Sequence, residues 1–414
     1  MSSLQPVRGT HDLMFDDIRR HRHVQRKFAA IAELYGYSEI ATPIFEATEV
    51  FARSLGDTTD IVTKEMYTFA TKGGESVTLR PEGTAGVARA FVSAGLAQQT
   101  PLKFFYMGPM FRHECPQKGR QRQFHQIGVE LLGVAGPQGD VEVIALADHI
   151  LRELNLAGRI TLELNSLGDA DSRAAYRTVL VDFLAARRDK LSADSRERLE
   201  KNPLRVLDSK DPADREIVAD APRLPEYLNP ASRDFFKQVQ DGLGKLGVAF
   251  TLNPALVRGL DYYTHTAFEF TTDALGAQGT VLAGGRYDGL VQQMGGPPTP
   301  GVGWAAGVER LAMLLGELPP PRRPIAVIPV GAAEEVAALK LAQRLRGNGF
   351  MVDVGYGGNM GKRMKRANKI NAVVALILGE DEVRRGVVTA RHLDSGEQAA
   401  VALAELEAHL DLYR

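Results

Sequence analysis

Arg112 and Glu114 stand two residues apart, and Phe124, Gln126, Gly128 and Glu130 follow at alternate positions a little further on. Along an extended chain every second side chain points to the same face. If the two stretches pair, an arginine, two carboxylates, an amide and an aromatic ring surround a gap opened by Gly128. Between them runs Cys115-Pro116-Gln117-Lys118-Gly119-Arg120-Gln121-Arg122, a basic loop expected to be mobile. Its cations beside a glycine suit phosphates, whether of a nucleotide or of a nucleic-acid end. Taken alone, a solvated hairpin face and a solvated loop account for the same patterns.

Other stretches set polar groups beside glycine. In Leu79-Arg80-Pro81-Glu82-Gly83-Thr84 a strand gives way to a helix. Thr84 is placed to cap that helix, leaving Glu82 and Gly83 at the exposed strand end, although a plain turn explains them too. Arg258-Gly259-Leu260-Asp261-Tyr262-Tyr263 brings a cation and paired tyrosines just ahead of a strand. Residues 279–289 are glycine-rich but lack the Gly-Lys-Ser/Thr ending of a phosphate loop. Gly301-Val302-Gly303-Trp304-Ala305-Ala306-Gly307 misses the dinucleotide spacing, its third glycine coming one residue late. Small residues there would let a flat ring lie close to the backbone, with Arg310 reaching over that ring or to a phosphate.

The elements that must position these groups show in the periodicity. Ile18, Val24, Phe28, Ile31 and Leu34 recur at helical spacing over residues 15–35, and Gly36 is placed to end the helix. A short strand is expected at 37–41, then a hairpin of 65–70 and 76–80 around Lys72-Gly73-Gly74. A second hairpin, 103–114 with 123–132, carries the polar cluster. Residues 170–245 are rich in charge and helix formers, notably at 183–200 and 231–246, and read as a helical insertion. Strands resume at 249–252, 264–270 and 280–283, and a helix follows Gly307. Leu318-Pro319-Pro320-Pro321-Arg322-Arg323-Pro324 is a linker by composition. Beyond it, strands at 325–330, 351–354 and 372–378 alternate with helices at 334–346 and 359–370. That alternation predicts a small α/β domain with a largely parallel sheet. The expected domains are residues 1–320, insertion included, and 325–414.

At 414 residues, 44 % hydrophobic and 24 % charged, the chain has the make-up of a globular protein of two or three domains. Fifty basic against 51 acidic residues leave a net charge of -1, which argues against an acid or membrane-surface specialist. A local basic patch still admits a nucleic acid. Cys115 is the one cysteine, so neither an intrachain disulfide nor a cysteine-based zinc site is expected, and a reducing compartment fits. Met1-Ser2-Ser3-Leu4-Gln5-Pro6 shows no basic-then-apolar signal pattern. The longest apolar run, about seven residues at 372–378, is far short of the roughly 20 that span a bilayer. The expectation is a cytoplasmic protein with no membrane partner and no assigned metal ligand.

The order of the segments carries a resemblance. A helix and proline-stopped strand, a hairpin with Phe111-Arg112-His113-Glu114, and a glycine-rich strand leading to Glu309-Arg310 resemble the three signature motifs of class II aminoacyl-tRNA synthetases. Residues 258–263 and 283–290 are similar to the two further signatures of the histidine-specific members. The resemblance covers nearly the whole chain. It implies an α+β catalytic domain on an antiparallel sheet with a helical insertion, then an α/β anticodon-binding domain. It also implies a homodimer, joined through the motif 1 helix and strand, that activates L-histidine with ATP and Mg2+ and esterifies it onto the 3′ end of tRNA(His).

By motif position, the resemblance makes Arg112 and Arg258 the catalytic pair, gripping the α-phosphate from opposite sides. Glu114 accepts from the adenine amine, Phe124 lies under the adenine, and Arg120 and Arg310 meet the nucleotide. Glu82, Gly83, Thr84, Gln126, Glu130, Tyr262 and Tyr263, with Arg112 and Arg258, line the histidine pocket; Glu130 and Tyr263 are candidates for the imidazole nitrogens. Cys115, Gln117, Lys118 and Gln121 approach the tRNA acceptor end. The chemistry agrees: a carboxylate ionised at pH 7 needs no general base, only placement and neutralisation of the phosphate charge. Two guanidinium forks supply that charge permanently. Polar contacts to both imidazole nitrogens can reject analogues lacking them by roughly 10⁴ to 10⁵, so no editing domain is expected. In the C-terminal domain, Lys362, Arg363, Lys365, Arg366 and Lys369 are expected to form a basic face.

Members often carry arginine where this chain has Cys115 and tyrosine where it has Gln121. An unusual reading of the acceptor end is therefore expected, without need of the extra 5′ guanosine that tRNAs for histidine usually bear. The alternative within the family is a regulatory subunit of the histidine-biosynthetic phosphoribosyltransferase. Such subunits generally lack the anticodon domain and lose catalytic residues, whereas Arg112, Glu114, Arg258 and Arg310 are all present here. A class II synthetase for another amino acid is disfavoured by residues 258–263.

Overall fold

The computed structural model describes residues 4–56, 59, 61–207, 209, 211–257 and 262–414, apart from the side chains of Ala277 and Gln278. It divides into two compact units, Met1–Glu317 and Leu318–Arg414.

In the first unit the helix Phe15–Leu34 buries Val24, Phe28, Ile31 and Ala32 along one side, the stripe that the apolar spacing marks. Phe28 meets Phe105 and Trp304 edge-on, with ring centres 5.5 and 5.8 Å away, which docks the helix against the main sheet. The strands are Ser38–Glu39 (β1), Phe45–Ala47 (β2), Tyr67–Ala70 (β3), Ser76–Leu79 (β4), Leu102–Phe111 (β5), Gln123–Leu132 (β6), Thr161–Ser166 (β7), Thr251–Leu252 (β8), Thr264–Thr271 (β9), Thr280–Arg286 (β10) and Gly301–Gly307 (β11). An eight-stranded sheet runs β1-β5-β6-β11-β10-β9-β7-β8. It is antiparallel except where β1 meets β5 and β7 meets β8. The first hairpin, β3 with β4, is joined by β2 into a separate small sheet.

Two expectations change on the central hairpin. β5 ends at Phe111, so Arg112 and Glu114 leave the ladder rather than sharing a strand face. The backbone turns there: Arg112 N–H still donates to Arg122, but His113 N–H crosses to Glu65. Nor does Gly128 open a gap, because its cross-strand partner Tyr106 fills it; a Cβ on Gly128 would collide with the phenol. The glycines of β10 and β11 likewise serve the sheet's own packing. A Cβ on Gly303 would strike the Glu130 carboxylate, and one on Gly301 the Tyr287 ring.

The insertion consists of Ala170–Ala185, Ala193–Lys201, Pro212–Ala219 and Pro230–Lys245, capped in turn by the side chains of Asp169, Ser192, Asp211 and Asn229. The helix expected at 183–200 is broken before Ala193. Ser192, besides capping, donates its hydroxyl to the buried Asp214, and that pairing fixes the turn.

In the second unit Ile325–Pro329 (β12), Val352–Val354 (β13), Val374–Leu378 (β14), Val387–His392 (β15) and Gln398–Ala402 (β16) form a sheet ordered β13-β12-β14-β15-β16. The first two pairings are parallel and the last two antiparallel, so the sheet is mixed rather than largely parallel. The C-terminal hairpin, turning at Gly396 with φ +76°, supplies the antiparallel edge that the apolar runs did not announce. The expected basic helix, Met360–Lys369, is also reduced. Arg363 is buried, donating to the carbonyls of Pro329 and Gly358 and pairing with Glu335. Lys362, Lys365, Arg366 and Lys369 stay exposed, with Arg366 held by Asp353. Among the described residues, no helix is long and apolar enough to cross a membrane.

Candidate active site

A cavity of about 290 Å³ opens where β6, β10 and β11 meet the loop after β5. One side is cationic. Arg112 donates through Nε to the Pro81 carbonyl at 2.9 Å and lies 5.3 Å over the Phe124 ring. Its Nη1 is 3.8 Å from Glu114, whose other oxygen pairs with Arg120 Nε at 2.5 Å. Arg310 donates to the Gly119 carbonyl at 3.1 Å and to that of Thr280 at 2.5 Å. Burial first, and Arg120 nearby, lower Arg310 from its ordinary value. Three crowded guanidiniums repel one another, and an anion between them relieves that cost.

The other side is polar and deep. Glu82 is buried and accepts from Thr84 N–H at 2.6 Å and Ala85 N–H at 2.8 Å, so Glu82 caps the helix Thr84–Ser93. The cap expected from Thr84 falls to its neighbour because the Thr84 hydroxyl is engaged elsewhere, donating to Glu130 at 2.7 Å. Glu130 receives a second hydrogen bond from Tyr287 and is fully buried. Burial pushes its carboxyl up to about 8; the two hydroxyls oppose that rise and Glu82 adds to it. Tyr262 and Tyr263 are buried, with ring centres 4.6 Å apart, and both line the cavity. Gln126 lines it as well, and its Oε1 is a buried acceptor with no hydrogen-bond partner.

The structure thus gathers Glu82, Thr84, Arg112, Glu114, Arg120, Phe124, Gln126, Tyr262, Tyr263 and Arg310 around one cavity. Glu130 and Gly83 stand behind it: Glu130 is reached through Thr84 and Tyr287, and Gly83 packs against Tyr106. Arg258 lies outside the described residues. Of the residues expected to approach a tRNA end, Cys115, Gln117 and Lys118 are exposed and Gln121 reaches the cavity wall. The loop bearing them closes on itself through the Gln117–Arg120 bridge and meets its surroundings through Arg122 N–H on the Gly9 carbonyl and Arg310 on the Gly119 carbonyl.

Sequence reasoning passed over three contributors. Tyr287 sits inside the glycine-rich segment, and its own position there was the available signal. Glu269 lines the cavity from β9 and accepts from Thr280 at 2.8 Å. Glu309 accepts from His125 N–H at 2.9 Å and lies 2.9 Å from the His125 ring nitrogen, a pairing that no local spacing reveals.

Comparison with known proteins covers both units. The family described as "Histidyl-tRNA synthetase" matches residues 9–311, and that described as "Anticodon binding domain" matches residues 324–411. The chain is 63 % identical over 411 residues to a histidine–tRNA ligase of Rhodospirillum rubrum, spanning 99 % of both chains. It is 58 % identical over 410 residues to that of Gluconacetobacter diazotrophicus, again over 99 % of each. Among solved structures, apo histidyl-tRNA synthetase of S. aureus superimposes with a TM-score of 0.83 at 34 % identity, covering 98 % of this chain and 99 % of that one. Likeness that extends from end to end, through both units, means that the chain belongs to the histidyl-tRNA synthetase family.

Proposed function

We propose that the chain activates L-histidine with ATP and passes the histidyl group to the 3′ end of tRNA(His). What supports this reading most is one cavity with two chemistries: guanidiniums of Arg112, Arg120 and Arg310 on one side, and Glu82, Gln126 and Tyr263 on the other. The first side suits a nucleotide's phosphates and the second a small polar amino acid.

In this reading Phe124 carries the adenine and Glu114 accepts from its amine. Arg112 and Arg258 hold the α-phosphate and the amino-acid carboxylate. A carboxylate oxygen attacks the α-phosphorus in line, the bond to the β-phosphate oxygen breaks, and pyrophosphate leaves. The chain contributes position and charge rather than a base. Glu82, Thr84, Gln126, Tyr262 and Tyr263 receive histidine, with Glu130 setting the proton inventory behind them. Mg2+ bound with ATP would supply charge to the outer phosphates, and Glu269, a carboxylate lining the same cavity, would be the residue to hold it. In the second step a ribose hydroxyl of the terminal adenosine attacks the adenylate carbonyl and AMP leaves.

Cys115, Gln117, Lys118 and Gln121 face the acceptor end, and residues 325–414 read the anticodon through the exposed Lys362, Lys365 and Lys369. The catalytic domain is assigned to residues 1–320. Exposed Phe15 and Leu34 on the first helix, with Phe45 and Phe69 on the small sheet, leave apolar surface for a homodimer. A cytoplasmic site of action fits the single exposed thiol. Histidine-dependent exchange of labelled pyrophosphate into ATP tests the reading, with the other amino acids as controls.

A further inference from the structure

Behind the nucleotide side of the cavity, three elements far apart in sequence bring together two imidazoles and a carboxylate. His21 comes from the helix Phe15–Leu34, His125 from β6 and Glu309 from the helix Val308–Leu314. One donor atom from each lies within 4.8 Å of the others, and among the described residues this is the one cluster of its kind. The His21 and His125 rings stand edge to face, 5.7 Å between centres. His21 is 6 % exposed, and its Nδ1 is buried with no hydrogen-bond partner. A buried imidazole nitrogen without a partner costs free energy unless something supplies the missing contact.

From this geometry we propose that His21, His125 and Glu309 form a binding site for a borderline divalent cation of the Zn2+ type. Two imidazole nitrogens and one carboxylate oxygen, with a position left open, are the donor set such ions favour. Tetrahedral binding at ~2.1 Å sets donors roughly 3.4 Å apart, so the widest separation must close by about an ångström or a little more. Rigid elements on all three sides limit that movement to side-chain rotation. A second cavity, of about 550 Å³, opens onto His21 and Glu309 and gives the ion a way in. His11 and Asp17 line it and offer further donors. Two cations share that wall: Arg20 is paired with Asp16 and bonded to the Leu315 carbonyl, and Lys118 is exposed to solvent. Glu309 adjoins Arg310 and His125 adjoins Phe124, so an ion here sits one residue behind two groups of the nucleotide side.

The test is a Zn2+ titration of chelator-stripped full-length protein against a chelating dye, without ATP, for wild type and His21→Gln. The expected result is one micromolar site per chain in wild type, weakened about tenfold or more in the variant. Equal binding by the two proteins would overturn the proposal, as would no site tighter than millimolar in wild type. Metal-free melting curves show whether His21→Gln is folded. If it is not, Co2+ added to wild type decides. Visible ligand-field bands without thiolate charge transfer support the site, and the spectrum of the aqueous ion refutes it.

Discussion

Tyr287 donates the hydrogen of its hydroxyl to the buried carboxylate of Glu130, joining β6 to the end of β10 across the floor of the site. The residue before Tyr287 is pinned independently: Arg286, fully buried, pairs with Asp140 and donates to the Val134 carbonyl at 2.9 Å. Tyr287 is thereby aimed at Glu130 by backbone it does not control. The carboxyl carries a proton near neutrality because burial outweighs the two hydroxyls that face it.

Stability follows from that proton. The folded carboxyl releases it at about 8, the unfolded one near 4.5. Between those values the folded state binds more protons, so this contribution is complete below the lower value and is lost as pH rises through the upper one. Glu130→Gln removes the titration and keeps an acceptor for one of the two hydroxyls, its amide NH2 donating to the other. Calorimetry from pH 5 to pH 8.5 is expected to show the wild-type Tm falling relative to the variant, by roughly 2–4 °C per kcal/mol lost. A constant difference across that range would mean that Glu130 does not titrate there.

Arg112 is fixed by the Pro81 carbonyl and by the Phe124 ring beneath it. Lysine keeps the charge but loses the planar fork. Arg112→Lys is expected to lower kcat for pyrophosphate exchange on the order of 10²-fold, with a smaller change in the KM for histidine. A melting curve close to wild type would locate the loss in the chemistry rather than in the fold.

Cys115 is exposed and Gln121 lies on the cavity wall, where family members often carry arginine and tyrosine. Fewer charged and aromatic contacts are then available for an extra 5′ nucleotide. Transcripts of tRNA(His) with and without the additional guanosine are expected to be charged at rates within about threefold, less than the ~1 kcal/mol that one good contact carries. A loss of orders of magnitude on omission would show that the loop still reads that nucleotide.

What the sequence revealed depended on how local the signal was. The helix Phe15–Leu34 and the strand Gln123–Leu132 follow from periodicity within one element, and both formed close to the expected limits. Alternation carries β5 on to Glu114, whereas the strand ends at Phe111 because His113 leaves for Glu65, a partner on another segment. Local spacing makes Gly128 a gap, whereas the space is filled by Tyr106 of the neighbouring strand. Thr84 does not cap because its hydroxyl donates to Glu130, 46 positions away, and Glu82 caps the helix instead. The motifs named which side chains carry chemistry, and tertiary pairing decided which of them reach the cavity. Arg310 and Glu114 do, whereas Glu130 acts from behind it.

The central claim, that the chain forms histidyl-adenylate, is tested most directly by pyrophosphate exchange with wild type and Arg258→Ala. The expected result is exchange with histidine alone among the amino acids, reduced on the order of 10²-fold or more in the variant. Exchange with a different amino acid, or none with any from folded wild-type protein, would contradict it.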